Sequence, residues 1–140
     1  MHDFQRDLHP IIDEIFLPLI VINFDENALL EIREATGFYI QRLRKILKPE
    51  TETMNHAKMH AWNTFSFIIE DYGEFKPKMA TSDPTHWRLN HAMYLIAKYF
   101  DCPDIPIEVM IAIEEREETY KETFEVIDRE FYAHLVKNNN

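Results

Sequence analysis

The sequence predicts an all-α protein, a single-domain bundle of about five helices closed by a long acidic C-terminal one. Three observations carry that prediction. The chain has only two glycines in 140 residues, too few for the tight turns of a hairpin-rich β protein. Its apolar residues recur at steps of three and four, the spacing that gathers side chains on one face of an α-helix. Prolines, glycine and polar capping residues punctuate the periodic stretches. A chain of this length hides roughly two-thirds of its unfolded surface, so one core spanning residues 1–140 is expected.

The first element runs from about Asp3 to Phe24, where Pro10 and Pro18 predict a kinked or broken helix, because proline lacks a donor and crowds the preceding turn. Within it, Leu19 to Ile22 is β-branched enough to be read as helical or extended. Asp25 is placed as N-cap of the second helix, which runs to Lys48 and stops at Pro49; its seam is Leu29, Ile32, Thr36, Tyr39, Leu43 and Ile46. The third helix spans about Thr53 to Tyr72, with Gly73 as its C-terminal cap. Asp83 followed by Pro84 starts the fourth, which reaches Phe100. After the proline-rich turn from Asp101 to Pro106, the fifth runs from Ile107 to about Val136 on a seam of Met110, Ile113, Tyr120, Phe124, Ile127 and Phe131, with Glu117 filling the gap. Residues 137–140 are expected to fray.

The net charge of −10 is uneven: residues 101–140 hold eleven acidic against four basic side chains. A nucleic-acid backbone would be repelled, since such binding rests on Lys and Arg neutralising phosphates, and the main basic cluster is Arg42, Arg44, Lys45 and Lys48. A basic protein, nucleic-acid-binding proteins among them, is instead the complementary partner. The lone Cys102 forms no internal disulfide, which favours a reducing compartment. The N-terminal residues lack the basic opening of a secretory signal, and the apolar run from Ile15 to Ile22 is eight residues long, short of the roughly twenty that cross a bilayer. A cytoplasmic protein without membrane contact is expected.

No nucleotide-binding loop, nucleophile elbow or cofactor motif accompanies these helices, so neither catalytic residues nor a cofactor are assigned. Helix three holds Glu52, His56 and His60 at steps of four, a spacing at which carboxylate and imidazole can share a metal ion. Ala57 stands where a zinc-protease helix needs glutamate. The middle helices also carry second faces beside their core stripes. His56, Met59, His60, Asn63 and Phe67 lie on one, and Trp87, His91, Tyr94 and Lys98 on the other. Intramolecular burial, a homodimer or partner interface, and a ligand pocket are the three ways to cover such faces, whose aromatic and Met content is that of an interface centre.

Two functions follow. The first is a non-enzymatic interaction protein, an inhibitor or regulator that engages a basic partner through Glu114, Glu115, Glu118, Glu122 and Glu125, with Phe67, Trp87, His91 and Tyr94 as further contacts. The alternative is a metal-binding bundle enzyme or sensor built on Glu52, His56 and His60.

Overall fold

The computed structural model describes residues 3–138, which fold into six α-helices with no strand among them. They are α1 (Asp3–Phe24), α2 (Leu30–Arg44), α3 (Met54–Phe75), α4 (Thr85–Tyr99), α5 (Ile107–Thr123) and α6 (Glu125–Asn138). Helices α1 and α4 pack together at the centre. On one flank α2 lies against α1, α3 against α4, and the two against each other; on the other α5 lies against α4 and α6 against α1. One apolar cluster, including Leu8, Ile12, Ile15, Leu19, Ile22, Ile32, Leu43, Ile68, Leu89, Ile96 and Phe100, fills the interior.

Helix α1 is continuous through Pro10 and Pro18, and Leu19 to Ile22 is helical. Each proline removes one backbone hydrogen bond at a local cost of about 3 kcal/mol. The burial of Ile12, Ile15, Phe16, Leu17, Leu19, Val21 and Ile22 against neighbouring helices offsets it. Asn23 and Arg33 then tie α1 to α2 reciprocally: Asn23 Nδ2 donates to the Arg33 carbonyl at 2.9 Å and Arg33 Nε to the Asn23 carbonyl at 3.1 Å. Gly37 lets the helices approach there, since a Cβ in its place would sit 3.3 Å from Asn23 Nδ2.

Several boundaries differ from those the sequence suggests. Asp25 does not cap α2. Its carboxylate accepts from the Asn27 amide at 2.9 Å, forming a turn of its own, and the helix begins five residues later. Helix α2 ends at Arg44 and passes into a 3-10 turn at Lys45–Leu47. Thr53 caps α3, accepting from the His56 amide at 3.2 Å. The helix continues through Gly73 because buried Phe75 anchors its last turn. Asp83 accepts from the Thr85 amide at 2.9 Å at the start of α4. At the other end Asp101 adopts φ 48°, and the Cys102 amide bonds the Ala97 carbonyl at 3.3 Å, the six-to-one bond of a left-handed helix terminus.

The largest departure lies in the C-terminal third. The single long helix expected from Ile107 to Val136 is two, interrupted at Phe124, where φ and ψ are −117° and −21°. The helix count is therefore six. Lys137 and Asn138 belong to α6, and the last two residues of the expected tail lie outside the described chain. The buried stripe runs through Ile113, Glu117, Tyr120 and Asp128, whereas Ile127 is 57% exposed. The seam therefore continues through a carboxylate instead of the isoleucine beside it.

The cause is Arg88. This α4 guanidinium is almost fully buried, and Asp128 closes over it: Nε donates to Oδ2 at 2.9 Å and Nη2 to Oδ1 at 2.7 Å. Phe124 lies against the cation, its ring centroid 5.4 Å from Arg88 Cζ. A buried charge needs a partner far more than an isoleucine needs burial, so α6 is turned to deliver Asp128. Arg88→Ala, which strands the carboxylate, is expected to cost about 3–5 kcal/mol in urea denaturation. Replacing the pair together, Arg88→Met with Asp128→Leu, should restore most of that loss.

Candidate interaction site

Helix α5 lays one side against α4 and presents the other to solvent. Glu114, Glu115, Glu118 and Glu122 are all exposed, and among the described residues none of them makes an ion pair. Glu125, at the start of α6, is half-buried and paired with Arg129 at 2.9 Å. Of the two α5 cations, Arg116 lies over the Trp87 ring at 4.2 Å and Lys121 is paired with the buried Glu117 at 2.7 Å. A ridge of unbalanced negative charge results.

The second face of α4 does not join this surface. Helix α4 is buried almost all round, because α5 covers the face that the sequence left unassigned. His91 is 5% exposed and stacks on Tyr120 with ring centroids 4.1 Å apart. Trp87 and Tyr94 are half-buried, and Lys98 Nζ lies 5.6 Å from the Tyr94 centroid. The structure thus gives His91 to internal packing, with Trp87 and Tyr94 at the margin of the same contact. The corresponding face of α3 does stay open. Phe67 is half-exposed and meets Phe38 edge-on at 5.3 Å, and Arg42 Cζ lies 5.0 Å from the Phe67 ring.

The structure does not bring Glu52, His56 and His60 together as a ligand set. Glu52 precedes the Thr53 cap, outside the helix whose spacing would align it. No group of three or more His, Cys, Asp or Glu side chains is placed to hold a metal ion among the described residues. The electrostatics oppose one as well. The pKa of His60 is lowered by burial, then by Lys45 and Arg42, a positive field that disfavours a cation. Cys102 is no better a nucleophile, its thiol pushed up to about 12 by burial and by Asp101.

A feature that helix periodicity does not reveal is a groove of about 610 Å³ between the end of α1, the turn after it, and α6. Val21, Phe24, Pro84, Ile127, Phe131 and Leu135 wall it, Asp25 and Glu26 stand at its rim, and the Arg88–Asp128 pair forms its floor. It exists because α6 turns Asp128 inward and so turns Ile127 and Phe131 outward. The signal in the sequence was Arg88, a charge flanking the core stripe of α4 and needing a buried partner.

No protein-family model, curated protein or solved structure matches this chain. No described helix is long and apolar enough to cross a membrane.

The buried imidazole has a measurable consequence. Burial first, then Lys121 and Arg129, push the pKa of His91 down to about 3. Glu117 Oε1 is 3.7 Å from Nδ1, yet that carboxylate is ion-paired with Lys121 at 2.7 Å, which blunts its attraction for a proton on the ring. The folded state therefore binds this proton less readily than the unfolded chain, where the value is 6.5. Its contribution is complete above the unfolded value and lost as pH falls from there toward 3. Between pH 7 and pH 5 this group should remove roughly 1–2 kcal/mol of stability. Urea midpoints at the two pH values should show a smaller drop in His91→Leu than in the parent chain.

Proposed function

We propose that the protein is a non-enzymatic helical interaction protein, an inhibitor or regulator that engages a basic protein through the outer ridge of α5. The observation that carries this reading is the unpaired, exposed row of Glu114, Glu115, Glu118 and Glu122 on a helix whose inner side is fixed against α4. A row of like charge held on rigid backbone attracts a cationic surface from a distance and speeds encounter. A cytoplasmic setting suits the single, unreactive Cys102.

The test uses a lysine-rich peptide titrated by calorimetry at low and high salt. Glu114→Lys, Glu115→Lys and Glu118→Lys together should weaken binding at low salt by at least about tenfold and flatten its salt dependence, with the melting temperature nearly unchanged. Binding that survives these reversals undiminished contradicts the proposal.

The open face of α2 and α3 supports a second contact. Phe38, Phe67 and Arg42 combine aromatic and guanidinium groups of the kind that anchor interfaces, and a second copy of the chain is the partner we assign to them. Sedimentation should then show a dimer that Phe38→Ser with Phe67→Ser converts to monomer; a monomeric parent chain contradicts this assignment.

A further inference from the structure

We infer that the groove between the end of α1 and α6 receives the apolar side of a cationic amphipathic helix belonging to the partner. This rests on the reading of α5 as a surface for a basic protein and adds the shape that such a protein must offer. Phe24 and Ile127 stand on opposite walls and are 50% and 57% exposed, and Phe131 lies one turn beyond Ile127 on the same wall. Residues three and four apart share a helix face, so Ile127, Phe131 and Leu135 form a continuous apolar strip along one wall. The periodicity of the chain marks Ile127 and Phe131 as core, and here they face solvent.

The shape selects a helix over a small molecule. A pocket for a small organic guest encloses most of its surface, whereas this groove lies open along its length, walled by large residues half in solvent. A helix laid into such a channel places anchors at steps of three and four against the walls. The charge selects a cationic one. No lysine lines the groove, and its one arginine, Arg88, is already held by both oxygens of Asp128. Asp25 and Glu26 at the mouth are left to meet cations on the partner's flanks. An anionic or strongly polar segment would face carboxylates and leave the apolar walls wet.

The experiment compares two synthetic helical peptides of equal charge. One carries leucine at i, i+3, i+4 and i+7 with lysine elsewhere, and the other has serine in place of each leucine. Both are titrated calorimetrically into the full chain, with amide chemical shifts recorded for the complex. The leucine peptide should bind at least tenfold tighter, with the largest shifts at Val21, Phe24, Ile127, Phe131 and Leu135. Ile127→Ser with Phe131→Ser should abolish the difference between the peptides. Phe24→Ser, on the opposite wall, repeats the test should the α6 variant unfold.

Equal affinity for both peptides, or shifts confined to α5, overturns the groove and leaves the acidic ridge standing. Leucine-dependent binding in the groove that ignores reversal of Glu114, Glu115 and Glu118 supports the groove and overturns the ridge. A leucine peptide with glutamine in place of lysine that binds as tightly overturns the cationic partner. A dimer of the free chain that protects the groove amides assigns the site to a second copy and overturns the proposal.

Discussion

The buried bidentate pair between Arg88 and Asp128 sets the geometry of the C-terminal half. Removing two charges from water is costly, and the cost is recovered only when the fork of the guanidinium meets both carboxylate oxygens in good geometry. That requirement fixes the rotation of α6 about its own axis. The interruption at Phe124, the outward turn of Ile127 and Phe131 and the groove over the ion pair all follow from it. An apolar pair of similar volume would hold the helix as firmly, but without demanding one register of it. The polar pair supplies position, and the surrounding apolar contacts supply most of the stability.

The chain divides its surfaces accordingly. Helix α4 is enclosed by α1, α3 and α5, and its aromatic and histidine residues are spent on packing. Helices α2 and α3 retain an aromatic face with Arg42 against it, α5 carries the carboxylate ridge, and α6 with the end of α1 forms the groove. Three distinct surfaces thus lie on one small bundle, and the proposed role as an interaction protein rests on them. Of the groups that could carry chemistry, His60 on α3 lies in a positive field, His91 on α4 is buried and stacked on Tyr120, and burial pushes up the Cys102 thiol.

Much of the helical pattern is legible in the sequence because steps of three and four, Thr53, Asp83 and the proline-bearing connections act locally. The exceptions are those in which a distant residue decides. Phe75 carries α3 past Gly73, the core holds α1 through two prolines, and Arg88 breaks α5 from α6. The candidate site divides along the same line. Exposed glutamates on α5 follow from composition and periodicity, since a surplus of carboxylate must face water. The fate of the second faces is set by which helix packs where, which periodicity does not encode. His91 therefore ends inside and Phe67 outside, although both lie beside their core stripes in the same manner. The groove needed the pairing of residues forty positions apart, and no short-range rule supplies that.

Helix α6 buries only Asp128 completely along its whole length, and a segment so lightly attached opens more readily than the enclosed α4. When it lifts away the channel over Arg88 ceases to exist, because one of its walls has gone. A guest in that channel would hold the final helix down, so seating the guest and fastening the end of the chain become one equilibrium, and a protease that trims the loosened end would report on occupancy.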